Sequence, residues 1–313
     1  MKKIVLAALA TTAIATSMLA VPAYAKELKI GVSMALFDDN FLTVLRKGME
    51  SYAKDSGIAL QVEDAKNEVG QQLNQIQNFI ASGVDAIIVN PVDTDATASM
   101  SDDAAAAGIP LVYVNRQPIN LDTLPDNQAF VASNEADSGT LETKEVCRLL
   151  GGKGKVVVMM GELSNQAAIQ RTKDVHDVIA TPACSGLEII EEQTAEWSRT
   201  KGNNLMTNWL SAGLQFDAVI SNNDEMAIGA IQALKAAGRS MDSIVVAGVD
   251  ATADALAAMK AGDLDVTVFQ DAAGQGRGAI DAAVKLVQGK DVDQKVWVPF
   301  KLVVPSNMSE FMK

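Results

Sequence analysis

Residues 85–116 read DAIIVNPVDTDATASMSDDAAAAGIPLVYVNR, and the fold class follows from them. An apolar run of strand length leads through Pro91 and Asp93 into an Ala-rich helical segment. The chain then crosses Gly108-Ile109-Pro110 and enters a second apolar run. Neither run alternates polar and apolar residues, as a strand with one wet face would, so both suit a parallel sheet covered on its two sides by helices. Each run ends in side chains foreign to a core: Asn90 after the first, Asn115 and Arg116 after the second. Ligands of open α/β sheets sit beyond the carboxyl ends of the strands. Taken singly, Asn90 is a turn residue before Pro91 and Arg116 a solvated charge.

Working outward, the same alternation recurs. LKIGVSM from Leu28 is a strand, and Asn40–Lys54 is an amphipathic helix with Phe41, Val44, Leu45, Gly48 and Met49 at helical spacing. IALQVEDA and the helix from Val69 to Ala81 follow. The rhythm breaks after Arg116 in a loop with Pro118 and Pro125, then resumes at Phe130. KVVVMMG, LEIIEEQ, DAVISN, SIVVAGVD and LDVTVFQD are strands of a second set, with helices at Gln166–Ile179, Arg199–Leu210, Met226–Ala237 and Ala253–Met259 between them. A helix from Gly274 to Val287 and strands around Val296–Val304 close the chain. Two such sets read as two doubly wound α/β domains of Rossmann type facing each other across a crevice, able to close on a ligand by a hinge.

The N-terminus carries Lys2 and Lys3, an apolar stretch from Ile4 to about Val21, and Ala23-Tyr24-Ala25, which reads as an export signal over residues 1–25. No Cys follows the cleavage site, which points to a soluble periplasmic protein rather than a lipoprotein. Without the signal, 24 basic against 39 acidic side chains leave a formal charge of −15. That disfavours nucleic acid and anionic membranes as partners. Cys147 and Cys184 are the only cysteines, and a disulfide or a buried thiol pair fits them equally.

The strand ends share one chemistry. Phe37-Asp38-Asp39-Asn40-Phe41 follows the first strand, and later ends carry Asn90, Asn115-Arg116, Asn222-Asn223-Asp224, Asp250 and Gln270; Arg171 and Trp197 lie at nearby helices. Amides, carboxylates and guanidinium groups bond neighbouring hydroxyls in pairs, and a flat aromatic ring packs on the C–H face of a cyclic polyol. Asp38 and Asp39 also read as helix N-terminal acids and Asp224 as an N-cap. No catalytic constellation stands out. The single histidine, His176, sits on the Gln166 helix one turn beyond Thr172 and reads as solvated or locally bonded, GxSxG and HExxH are absent, and GGKGK and GQGRG miss the phosphate-binding spacings. Catalytic residues, metal and cofactor are all read as none.

NPVDTDAT, YVNRQP, EWSRTKG, SNNDEMAIGA, AGVDAT and VFQDA resemble the successive motifs of the type I periplasmic sugar-binding proteins of the ribose-binding group, from about Leu28 to the C-terminus. FDDNFLTVLR adds a likeness to the inositol and rhizopine (methylated inosamine) binding subgroup. The resemblance implies two lobes joined by three crossovers, here 26–132 with 271–299 and 133–270 with 300–313. It implies a ligand clamped between them and delivered to an ABC permease, a monomer, and a chemoreceptor as a further candidate partner. It places Asp39, Phe41, Asn90, Asn115 and Arg116 on the first wall, with Phe41 stacking on the ring; Asp38 beside Asp39 is a further candidate, able to accept from hydroxyls or pair with an amine. Arg171, Trp197, Asn223, Asp250 and Gln270 fall on the second wall, Trp197 stacking from the opposite side. The ribose pattern has Asn at Asp39, Asp at Asn115 and Phe at Trp197, and these departures argue against ribose. The expected ligand is a cyclitol, foremost myo-inositol. The alternatives are an aldose such as ribose, galactose or glucose, and, from another class, an exported sugar-acting enzyme. A repressor core of the same architecture would need a DNA-binding segment where the export signal stands.

Overall fold

A computed structural model describes residues 27–312. The segment read as an export signal lies outside the described residues. In the first lobe the chain runs β1 (Lys29–Met34), α1 (Asn40–Asp55), β2 (Ala59–Asp64), α2 (Val69–Ser82), β3 (Ala86–Val89), α3 (Thr97–Ala107), β4 (Leu111–Val114) and β5 (Gln128–Ala132). It crosses to the second lobe and forms α4 (Glu135–Leu149), β6 (Lys153–Met160), α5 (Gln166–Ile179), β7 (Gly186–Thr194), α6 (Arg199–Ser211), β8 (Ala218–Ser221), α7 (Asp224–Ala236), β9 (Val245–Ala247), α8 (Ala253–Ala261) and β10 (Thr267–Phe269). It returns for α9 (Ala272–Val287) and β11 (Lys295–Trp297), then crosses a third time into β12 (Lys301–Val303).

The opening stretch is β3, α3 and β4. Every residue of both strands is buried, as continuous apolar runs in a covered parallel sheet require. Tyr113 on β4 is tied to α3 through its hydroxyl, which donates to the Thr97 carbonyl at 2.7 Å and meets Ser101 Oγ at 2.9 Å. Gly108 ends α3 at φ 68°, a left-handed conformation that costs glycine little.

The first sheet has the order β2-β1-β3-β4-β5-β11, with every neighbouring pair parallel. The second runs β7-β6-β8-β9, and parallel bridges Ala247–Val266 and Asp250–Phe269 carry it to β10, which pairs antiparallel with β12. Each lobe therefore has its first-formed strand inside its second, followed by the rest in sequence. That order creates a switch point between β1 and β3, and between β6 and β8, where the loops leave in opposite directions and open a crevice. The two crevices face each other.

Helix α9 follows a strand of the second lobe yet packs in the first, its Ala279, Ile280 and Ala283 in one core with Ile30, Leu45 and Val131. Cys147 on α4 and Cys184 before β7 form a disulfide, which decides between the two readings above. In the chain-entropy model a crosslink across this 37-residue separation stabilises by about 4 kcal/mol. Among the described residues no helix is long and apolar enough to cross a membrane.

Candidate ligand-binding cleft

Between the lobes lies a cavity lined from both sides. The first lobe lines it with Asp39, Phe41, Leu42, Asn115 and Arg116. The second supplies Glu135, Asn165, Ala167, Arg171, Trp197, Asn223, Asp250 and Gln270. All the expected residues except Asp38 and Asn90 are among them.

Those two are placed elsewhere for physical reasons. Asp38 is exposed and borders an outer groove with Glu162, Glu196 and Arg199. Asn90 ends a central strand and is fully buried beneath the cavity floor, where it ties strand ends together. Its Oδ1 accepts from the Ala35 N–H at 3.3 Å, and its Nδ2 donates to the Val114 carbonyl at 3.2 Å and Asn115 Oδ1 at 3.4 Å. Asn222, at the same place in the second lobe, does the same work: fully buried, its Oδ1 accepts from the Gly161 N–H at 3.1 Å. Asn90 thus holds Asn115 in place instead of lining the cavity.

On the first wall, Asp39 is the N-cap of α1, accepting from the Leu42 N–H at 2.7 Å through Oδ1. Burial pushes the Asp39 carboxyl up, with the Leu42 N–H and the Arg116 guanidinium opposing. Arg116 gives Nη1 to the Pro91 and Val92 carbonyls at 2.9 and 3.3 Å, and the residue lines the cleft. Asn115 turns out of β4 at φ 68°. Asn tolerates that region better than most residues.

The second wall is organised by Arg171, buried on α5. It grips Glu135 with two bonds, Nε to Oε2 at 2.6 Å and Nη2 to Oε1 at 3.0 Å, and donates Nη1 to the Asn222 carbonyl at 2.7 Å. Its Nη2 also lies 3.4 Å from Gln270 Oε1, which leaves Gln270 Nε2 buried without a protein partner. Trp197 lies flat on Gly161: a Cβ there would come within 2.2 Å of the indole ring. Asn223 caps α7 at the Met226 N–H and donates Nδ2 to the Trp197 carbonyl at 3.2 Å, so it positions Trp197. The expected cap Asp224 is instead inside that helix, fully buried, accepting from the Thr252 N–H at 2.8 Å and Thr267 Oγ at 2.7 Å. Asp250 sits at φ 124°, and its carboxylate accepts no hydrogen bond from the described residues. Burial pushes it well above the ordinary range, and Arg171 pulls the other way.

Left-handed or otherwise unusual backbone thus gathers at the cavity, at Asn115, Glu196-Trp197 and Asp250-Ala251. Such strain persists where the surroundings hold it and concentrates at binding sites. His176 is on the outer surface of α5, 2.7 Å from Glu192, and does not line the cavity.

Buried acids give this lobe a pH signature. Burial raises Asp224 to about 7 and Asp174 to about 6, and raises Glu142 and Asp250 well above normal. A raised folded pKa means the native state holds the proton more tightly than the unfolded chain does. The stability this contributes is complete below the unfolded value near 3.8 and is lost as pH climbs through about 7. The unliganded protein should therefore melt roughly 5 °C higher at the acid end of that window than at its alkaline end, read by calorimetry. A flat profile would mean these acids ionise freely.

Comparison with known proteins decides the family. Residues 30–291 match the periplasmic binding protein domain model. The chain belongs to the periplasmic binding protein family. This periplasmic binding protein is 70% identical over 283 residues to a Rhizobium meliloti protein named as a candidate rhizopine-binding protein, with 90% of this chain and 92% of that one covered. An ABC transporter solute-binding protein from Bacillus halodurans C-125, solved with bound myo-inositol, superposes with a TM-score of 0.86 at 42% identity, covering 91% of this chain and 97% of the other. The Caulobacter myo-inositol binding protein bound to myo-inositol gives 0.82 at 30% identity, covering 90% and 95%. These relatives are solute-binding proteins, not enzymes.

Glu135 and Asn165 line the cleft and escaped the sequence reading, while Asn222 was read only as one of the polar strand ends. Glu135 looks like any acid opening a helix. Asn165 was legible: it lies five residues beyond the end of β6, as Asp39 lies five beyond the end of β1.

Proposed function

We propose that this chain is the receptor of an ABC importer for a cyclitol, foremost myo-inositol. In this reading residues 1–25 direct export and are removed. Lobes 26–132 with 271–299 and 133–270 with 300–313 close on the ligand as a monomer, and the closed form meets the permease. A chemoreceptor is a second reader of that form.

The observation that carries this reading is that two aromatic side chains from opposite lobes, Phe41 and Trp197, line one cavity together with polar atoms that have no protein partners. Those atoms include Gln270 Nε2, Trp197 Nε1 and Asn165 Oδ1. A saturated six-membered ring presents C–H faces above and below and hydroxyls around its edge, each able to donate and accept. The myo-inositol complexes of two relatives support the choice of ring.

One observation favours a second ligand of the same shape. Three carboxylates, Asp39, Glu135 and Asp250, face two guanidinium groups, Arg116 and Arg171. With Arg171 taken up by Glu135, an ammonium would favour the ionised forms of Asp39 and Asp250 against their burial, so an aminated cyclitol fits the same cleft.

A thermal-shift panel of the mature protein with myo-inositol, scyllo-inositol, an inosamine, ribose, galactose and glucose tests the proposal. A cyclitol at a hundred times its Kd should stabilise by about 2.7 kcal/mol, seen as a rise of several degrees. A rise with an aldose and none with any cyclitol would overturn the cyclitol assignment.

A further inference from the structure

The loop Gly161–Asn165 between β6 and α5 does two things at once. Asn165 occupies the N-cap of α5, where an asparagine ordinarily bonds the exposed helix N–H groups, yet it makes no side-chain cap. It is 1% exposed and lines the cavity, and its Oδ1 has no protein partner. Its Nδ2 is turned the other way, toward Glu162 Oε2 and Ser164 Oγ, each at 3.3 Å. Since a carboxylate only accepts, the amide must point its nitrogen at Glu162 and keep its oxygen for another donor.

The other oxygen of Glu162 reaches the opposite lobe. Glu162 Oε1 accepts from Asn67 Nδ2 at 2.8 Å, and next to it the Ser164 carbonyl accepts from the Thr94 N–H at 3.1 Å and Thr94 Oγ at 3.0 Å. Asn67 is held for this contact. It stands at φ 58° after Lys66 at φ 53°, with its own N–H on the Ala35 carbonyl at 2.7 Å. The same local arrangement recurs in the two lobes. Lys66-Asn67 follow β2 as Glu196-Trp197 follow β7, with the same pair of left-handed residues. Asp39 and Asn165 likewise correspond. One lobe uses the first of these positions to clasp its partner, and the other uses it to face the cavity.

We infer that Asn165 is a ligand-binding residue that accepts a hydrogen bond through Oδ1, and that Glu162 is a positioning residue that aims it while clasping Asn67 of the other lobe. Closure and recognition are thereby joined in one carboxylate: the lobes lock where the amide is aimed. The donor Asn165 selects is a ring hydroxyl or ammonium. This inference rests on the proposed receptor function.

The test uses the mature protein with myo-inositol and an inosamine as probes, by calorimetry and by stopped-flow tryptophan fluorescence. Asn165→Ala should weaken binding about tenfold, the loss expected for one hydrogen bond of this kind. Glu162→Ala should weaken it at least as much. The Asn165 change should then cost clearly less in the Glu162→Ala background than alone, because contacting residues do not act additively. Asn67→Gly, which keeps the left-handed backbone accessible, should raise the dissociation rate about fivefold and leave the association rate unchanged. Parental affinity in Asn165→Ala, or equal costs with and without Glu162, would overturn the inference while leaving the receptor function standing. A parent protein that binds neither probe would instead remove the receptor function and this inference with it.

Discussion

Arg171→Ala is expected to abolish measurable ligand binding and to lower stability by about 3–5 kcal/mol, the usual cost of removing one member of a buried ion pair. The side chain is 4% exposed and Glu135 is 6% exposed, so the orphaned carboxylate could not recruit solvent without opening the lobe. Two further groups lose a donor with it: the Asn222 carbonyl at 2.7 Å and Gln270 Oε1 at 3.4 Å. Denaturant unfolding and calorimetry with myo-inositol would read the two effects. Adding Glu135→Gln should recover part of the stability, because the uncompensated charge is gone, and none of the binding. A single substitution that changed stability by less than about 1 kcal/mol would place Arg171 among solvated surface pairs.

Trp197→Ala should weaken ligand binding roughly a hundredfold, at the scale of aromatic hot spots, while costing the fold less than the Arg171 change. The indole is half-buried between Gly161 and the cavity, and its guanidinium neighbour Arg171 lies 5.7 Å from the ring. It packs at the edge of the lobe's core and also lines the cleft, so the substitution acts on both. Trp197→Phe should keep a stacking face and most of the affinity but give up the indole N–H, which has no protein partner. Equal affinities for parent and Trp197→Ala, measured by calorimetry, would remove this residue from the site.

The fold was legible because both lobes repeat one simple pattern. Apolar runs without alternation specify covered parallel strands, and β3 and β4 are buried at every position. Much of the site was legible for a related reason: polar side chains at the ends of such strands have few structural uses. Asn90 shows the limit of that argument. A buried asparagine that ties strand ends and one that faces a ligand look identical in the chain, and only the partners at Ala35 and Val114 distinguish them. Glu135 was hidden differently, since the need for it becomes apparent only once Arg171 is known to be buried. Asp224 was misplaced by one residue because Asn223 competes for the same cap and wins. The disulfide depends on the distance between α4 and the loop before β7, which spacing along the chain does not report.

The central claim is that the cleft between the lobes takes a cyclitol. Titration calorimetry of the mature protein with myo-inositol, run beside ribose, tests it most directly. A single site with micromolar or tighter affinity for myo-inositol, corresponding to about −8 kcal/mol or better, and binding of ribose at least a hundredfold weaker is the predicted result. No heat with myo-inositol and saturable binding of ribose would contradict it.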